Sequence, residues 1–404
     1  MRTDFCVVGA GIIGLAVARE LLLRQPGASV TVLEAEARLA QHQTSHNSGV
    51  VHAGMYYSPE SVKGQLVRRG VALLREFCQE HGILIDDCGK IIVARDAAER
   101  GGLARLHERA SALGVPGLEM LGPDGIRDRE PQVTGAAGLL SPTSAITDFP
   151  AIAAAIADDA RSQGAVIELG HPVSSIAPGP GGAVVATPQG SWECRALVVC
   201  AGLQADRLAV AAGEPRDPQV VPFRGEYYRL RDGLPPLVRS MIYPVPDPRY
   251  PFLGVHFTPR VSGAIDVGPN AIMALARNGY SWRQVSPRDL AAMAAWPGMW
   301  RLAAQHWRTG AYEFAGSVSK GRFVARARDY VPALQEADLV RAPAGVRAQA
   351  VSRDGRIIDD FVLSQRGPVM FVRNAPSPAA TSSLAIAQHV VDSVLSDRGL
   401  AGPV

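Results

Sequence analysis

The sequence predicts an α/β protein in which a Rossmann-like dinucleotide-binding domain is interleaved with an α+β domain rich in β-sheet. Three observations carry this. A glycine-patterned β-α-β unit opens the chain, from "DFCVVGAGIIG" to "SVTVLEA". Two later excursions bring short strands with Pro/Gly turns between helical stretches. The closing segment, "NAPSPAATSSLAIAQHVVDSVL", enters a helix through small polar residues.

The opening unit spans residues 5–34. "FCVVGAG" is an apolar, β-branched run and reads as a buried strand; "IIGLAVARELLLRQ" is the helix, broken by "PGA". Gly9, Gly11 and Gly14 stand between them at G-x-G-x-x-G spacing. The first permits a tight turn, the second lets a pyrophosphate approach the backbone, and the third lets helix and strand pack closely. The helix start, at Ile13 and Gly14, offers N–H groups and a positive dipole end to phosphates. Glu34 ends the second strand, with Ala35 after it, where a carboxylate accepts the ribose hydroxyls and repels a 2′-phosphate.

Composition narrows the class. The 404 residues are 47% hydrophobic and 20% charged, with a formal net charge of +3. That balance fits a globular protein of about two domains and gives no reason to expect nucleic acid as a partner. Five cysteines show no CxxC spacing, so neither a metal site nor a disulfide framework is expected, and a reducing, cytoplasmic setting fits. No signal segment or spanning run is expected; peripheral membrane contact stays open.

The segment "QTSHNSGVVHAGMYY", Gln43 to Tyr57, separates FAD from NAD. Thr44, Ser45, Asn47, Ser48 and Gly49 are small and polar, suited to presenting donors to a pyrophosphate and passing beneath a flat ring. They point to an extended FAD. His52 is the candidate general base, since an imidazole accepts a proton near neutral pH. His46 is its rival, with a loop-stabilising hydrogen bond as the plain alternative.

"HQTSHNSGVVHAGMYY" resembles the corresponding segment of the L-2-hydroxyglutarate dehydrogenase/oxidase family, FAD enzymes of the D-amino-acid-oxidase-like superfamily. The resemblance continues in "VPFRGEYYRL", "IYPVPDPRYPFLGVHFTPRVSGAIDVGPNA", "AGVRAQAVSRDGRIIDDF" and "VRNAPSPAATSSLAIA". Ser45 departs from it, standing where a glycine is expected. The resemblance implies a glycine/D-amino-acid-oxidase-like fold, with FAD domain segments 1–80, 145–215 and 340–404 and substrate domain segments 81–144 and 216–339. It further implies that the Val173 backbone lies near the adenine and that Arg347 holds the substrate carboxylate.

The remaining elements follow in order. Val62 to Cys78 has helical apolar spacing, "LIDDCGKIIVARD" reads as a strand, and residues 99–114 read as a helix. His81 and His107 are expected as solvated helix-end residues. Asp148 to Gly164 reads as an Ala-rich helix, followed by hairpin strands up to Ala201 and Gly202, where the chain closes on the cofactor. In the β-rich excursion, His256 and Tyr243 face either core or substrate. Residues 287–309 read as one helix whose Trp296, Trp300, Leu302 and Trp307 pack the core. Asn374, Ser377, Ala380 and Thr381 face the cofactor, with Ser377, Thr381 and Ser382 available as helix caps.

The reaction implied by the resemblance is oxidation of a 2-hydroxy acid, L-2-hydroxyglutarate to 2-oxoglutarate, by hydride transfer to flavin N5, with oxygen or a quinone as acceptor. His52, Arg347 and His256 are the catalytic candidates: Arg347 would fix the carboxylate and His52 take the hydroxyl proton, with Tyr57, Tyr243 and His256 lining the substrate. Lys320, Arg224 and Arg260 are candidates for the distal carboxylate. The same scaffold could instead oxidise an amine, an amino acid or another hydroxy compound. An RNA-modifying flavoprotein would need a basic stripe interleaved with aromatics, which the sequence lacks.

Overall fold

The opening run Arg2–Val8 forms the middle strand of a parallel sheet. Val30–Leu33 and then Val166–Glu168 lie on one side of it; Gly190–Val199 and then Val369–Asn374 lie on the other. These strands are covered on both faces, which is why the opening ones read as continuous apolar runs. The computed structural model describes residues 1–247 and 252–396.

One face of the sheet carries helices Ile12–Arg24, Phe149–Ser162 and Ser383–Ser396, with Val62–Glu80 packed on the last of these. Leu15, Val17 and Leu21 interlock there with Ile152, Ile156, Ile386 and Val390. The other face is covered by the hairpin Ser175–Gly179 and Gly182–Thr187, which runs into Gly190–Val199; Trp192 and Val185 pack there on Cys6 and Phe371. Asp148 caps its helix as expected, its carboxylate accepting the Ala151 N–H.

The second sheet has nine strands and is mostly antiparallel. Leu339–Val351 pairs with Gln219–Leu230, followed by Ile265–Gly268, His256–Pro259 and Met241–Pro244. Lys90–Ala94 joins in parallel, and Ala137–Ser141 and Glu119–Leu121 finish the sheet. Successive residues of a strand point to opposite faces. Tyr228, Val267, Phe257, Ile242 and Ile91 therefore form one cross-strand row, packed on Phe323, Val324 and Tyr330. The alternate residues Met241, Tyr243 and Ile92 pack on Val50, Met55 and Ile146. Val50–Val51 and Ala145–Thr147 belong to a small three-stranded sheet with Ile85–Asp86. The second sheet thus lays one face over the loop that follows the opening unit.

Three expectations need correction. The strand expected across "LIDDCGKIIVARD" is two: Ile85–Asp86 and Lys90–Ala94 belong to different sheets, with Gly89 at φ +75° turning the chain between them. The helix expected over 287–309 is broken twice: between Pro287–Ala294 and Pro297–Val318, because Pro297 disfavours helical backbone at Trp296, and again at His306, whose φ −122° and ψ 20° kink the second helix. Trp296 and Leu302 are buried, but Trp300 and Trp307 are 64% and 63% exposed. In an unbroken helix their seven-residue spacing would share one face, without specifying that it faces inward, and the kink at His306 separates them. His81 sits at a helix end, where its ring also meets Asp159 at 2.9 Å.

Candidate active site

The glycine turn works through close contact. Gly9 has φ +102°, and a Cβ on Gly14 would collide with the Gly9 carbonyl oxygen, so strand and helix meet backbone to backbone. Gly11 precedes the helix in extended conformation and offers no side-chain cap. Thr44 Oγ1 accepts the Ile12 N–H at 3.1 Å, while the N–H groups of Ile13 and Gly14 have no partner among the described residues. Such unpaired donors at a helix N-terminus form an anion cradle.

Glu34 is buried, its carboxylate accepting the N–H of Ala10 at 2.6 Å and of Glu36 at 2.9 Å. Each oxygen keeps a lone pair for a ribose hydroxyl. Ala35 is exposed beside it, and Val173 is partly buried against the Trp192 cluster, close to where His171 N–H meets the Glu34 carbonyl. Ala201 and Gly202 follow the strand that pairs with the opening one; a Cβ at Gly202 would lie 2.9 Å from the Gln43 side chain.

The loop after Glu34 spends much of its polarity on its own shape. Ser45 donates its hydroxyl to the Ala40 carbonyl at 2.6 Å. The Asn47 amide donates to the Thr44 carbonyl at 2.6 Å and accepts the Gly49 N–H at 2.8 Å. Ser48 is half-buried, with no hydrogen bond of its hydroxyl among the described residues. His46 bonds the Ala344 carbonyl at 3.0 Å and stacks on Tyr280, so its ring is engaged in holding the loop.

His52 is fixed from the other end of the chain. Thr381 Oγ1 accepts its N–H at 3.2 Å and donates to the Val50 carbonyl at 3.3 Å; Ser377 Oγ lies 3.4 Å from its Nε2. Its Nδ1 is buried without a partner. Burial, then the charges of Lys90, His256 and Lys63, hold its pKa well below the usual value, so the ring is neutral. Asn374 donates to the carbonyls of Ile358 and Asp360, leaving its Oδ1 buried and unpaired; Ala380 packs against the helical core. The expected caps are corrected accordingly: the helix starts at Ser383, Thr381 serves His52, and Ser382 Oγ finds no partner.

The second sheet roofs this loop. His256 is buried, and its Nδ1 meets the Gly254 carbonyl at 2.8 Å. A carbonyl only accepts, so Nδ1 carries the proton and Nε2 is bare. Burial, with Arg347 and Lys90 adding to it, lowers its pKa to about 3. Tyr243 stacks on it at 3.9 Å between centroids. Tyr57 lies under Lys63, 4.9 Å from its ammonium, and burial raises its phenol pKa. Arg347 is half-buried, 5.3 Å over the Phe252 ring, with no ion pair or hydrogen bond of its guanidinium among the described residues. The structure therefore brings His52, His256, Tyr243, Tyr57 and Arg347 to one place.

The three cations proposed for a distal anion are committed elsewhere. Lys320 donates to the Leu339 carbonyl, Arg260 bridges Asp266 and the Asn47 carbonyl, and Arg224 pairs with Glu226 through Nη2, its Nε and Nη1 staying buried without a partner among the described residues. Sequence reasoning missed Lys90, although a lysine leading the apolar run "KIIVA" was a visible signal. It also missed Tyr56, whose hydroxyl is buried and unpaired.

The helix-start donors and polar atoms around His52 left without partners among the described residues, with the buried Glu34 carboxylate, fit a long dinucleotide with a reactive ring at one end. The pattern of the family described as "FAD dependent oxidoreductase" matches residues 4–393. A mitochondrial L-2-hydroxyglutarate dehydrogenase of Nematostella vectensis is 42% identical over 408 residues, 96% of this chain and 90% of that one. The L-2-hydroxyglutarate dehydrogenase of Escherichia coli strain K12 is 41% identical over 392 residues, covering 97% and 93%. Among solved structures, an L-α-glycerophosphate oxidase from Mycoplasma pneumoniae superimposes with TM-score 0.80 at 22% identity, covering 98% and 95% of the two chains. A glycine oxidase from Geobacillus kaustophilus gives 0.72 at 23%, with the same coverage. These two share the fold. The chain belongs to the family of FAD dependent oxidoreductases.

Proposed function

We propose that the protein oxidises L-2-hydroxyglutarate to 2-oxoglutarate. The observation that carries this is that a neutral, buried His52 and an Arg347 guanidinium with no partner among the described residues both lie near His256, at the end of the FAD cradle. Similarity over nearly the whole chain to proteins named L-2-hydroxyglutarate dehydrogenase supports the choice of substrate.

Bound FAD supplies a two-electron, hydride-accepting oxidant. Arg347 binds the carboxylate next to the hydroxyl carbon, its planar fork matching two oxygens and fixing the rotation of that carbon. His52 accepts the hydroxyl proton on its bare nitrogen as the C2–O bond becomes a carbonyl. Thr381 holds the backbone of that histidine, so the ring is aimed before substrate arrives. His256, neutral with Nε2 bare, can accept a second hydrogen bond without adding charge. Tyr243 and Tyr57 exclude water from the pair. Electrons then pass to oxygen or a membrane quinone, two acceptors separated by comparing turnover in air with anaerobic turnover on a soluble quinone.

The test is a panel of substrates added anaerobically to the yellow holoprotein, read at the flavin band. L-2-Hydroxyglutarate should bleach it far faster than its D-enantiomer, glycine, sarcosine or L-glutamate. Bleaching by an amine or amino acid in preference to every hydroxy acid would overturn the proposal.

A further inference from the structure

Lys90 is buried to 1% exposure at the start of an all-buried strand, and no residue described in the structure gives its ammonium a hydrogen bond or an ion pair. It lies 4.3 Å above the Tyr243 ring and 5.6 Å from that of Tyr56. Its charged and titratable surroundings are His52 and His256, with Cys88 on its own chain segment and the phenols of Tyr56 and Tyr243. The nearby cation Lys63 has a carboxylate of its own, Asp359 at 2.6 Å. Lys90 has none.

Removing a cation from water without an anion costs several kcal/mol, and an aromatic face returns only part of it. The strain is visible in its pKa, lowered by burial to about 7. Beside it, the Tyr56 hydroxyl is buried with no partner. An ammonium and a neighbouring hydroxyl, both without partners among the described residues, suit an anion that can accept from both. Arg347 and Lys90 both lie near His256, which stacks on the Tyr243 ring that Lys90 covers. We propose that Lys90, with the Tyr56 hydroxyl, binds the second carboxylate of a dicarboxylic 2-hydroxy acid whose first carboxylate is held by Arg347. This rests on the substrate class assigned above and names the residue that selects a dicarboxylate over a monocarboxylate. Lys320 and Arg260 are bonded elsewhere, and Arg224, although its Nε and Nη1 find no partner among the described residues, is held at Glu226 and over the Trp282 ring.

The experiment compares anaerobic flavin reduction by L-2-hydroxyglutarate and by L-2-hydroxybutyrate in wild type, Lys90→Met and Lys90→Arg. Flavin absorbance and thermal midpoint report loading and folding. Lys90→Met should lower the preference for the dicarboxylate, as the ratio of limiting rate over Kd, by roughly 10- to 100-fold, the span of a lost charge-assisted contact. Lys90→Arg should keep most of it. A second arm needs no variant: glutarate and butyrate are titrated into wild type from pH 6 to 9, read by perturbation of the flavin spectrum. Glutarate should bind more tightly, with an advantage that shrinks as pH rises through the lysine's pKa. Equal loss on both substrates in Lys90→Met, or a glutarate advantage independent of pH, would overturn the assignment of Lys90 while leaving the substrate reading intact. Wild type that L-2-hydroxyglutarate does not reduce overturns both.

Discussion

His52 sits where chain ends meet: its backbone is tied to Thr381 and its ring lies beside Ser377. His52→Asn keeps polarity but removes the proton acceptor. Flavin reduction should slow by roughly 10²- to 10⁴-fold with FAD still bound, the usual worth of a general base. Stopped-flow reduction with the flavin absorbance as loading control checks this. Arg347→Met should instead act mainly on binding, weakening the substrate by roughly tenfold to a hundredfold, seen as a raised KM. The choice between His46 and His52 was open in the sequence, because both lie in one small polar loop. The structure gives His46 a carbonyl and an aromatic partner, and leaves Nδ1 of His52 unpaired. Lys90 showed in the sequence only as a lysine leading an apolar run, with nothing to say what it meets. Its neighbours in space, Tyr243 and Tyr56, come from distant segments, and only pairing of Lys90–Ala94 with Met241–Pro244 joins two of them.

At the scale of elements, the β-α-β unit was readable because every signal in it is local: apolar strand, glycine turn, helix, strand, acid. Gly14→Ala would drive a methyl into the Gly9 carbonyl and push the helix off the strand. The expected result is loss of FAD from the purified protein, measured as the ratio of flavin to protein absorbance. Thr381→Val removes an acceptor from His52 and a donor from the Val50 carbonyl. It should cost about 1–3 kcal/mol of stability, the penalty of unmade buried hydrogen bonds, read in a denaturant titration. What stayed hidden at this scale was direction. The seven-residue spacing of Trp300 and Trp307 told neither which way they look nor that the helix kinks at His306 between them. Spacing likewise could not place Leu339–Val351 in the second sheet, since strand partners are set by tertiary contact. We propose from that pairing that the boundary between the two domains falls after Val351 rather than near 340, which leaves Arg347 on the substrate side.

For the whole molecule, the meeting of two sheets buries His52, His256 and Lys90 with pKa values lowered chiefly by burial. The sign of the consequence follows from proton counting. Between about 6.5, where an unfolded histidine titrates, and the lowered folded values, the unfolded chain binds more protons. Stability should therefore fall as pH drops below that value. Between about 7 and the ordinary lysine value of 10.5, the unfolded chain again binds more protons, so Lys90 makes stability rise with pH. Urea midpoints from pH 4 to 9 should show both slopes, and His256→Phe should flatten the acidic one. A flat acidic limb in wild type would contradict the burial of neutral imidazoles.

The most direct measurement is a single anaerobic turnover. Purified yellow protein is mixed with excess L-2-hydroxyglutarate without any acceptor, and 2-oxoglutarate is counted against bound FAD. The account predicts one 2-oxoglutarate for each FAD bleached. Bleaching without 2-oxoglutarate, or a protein that holds no FAD, would contradict it.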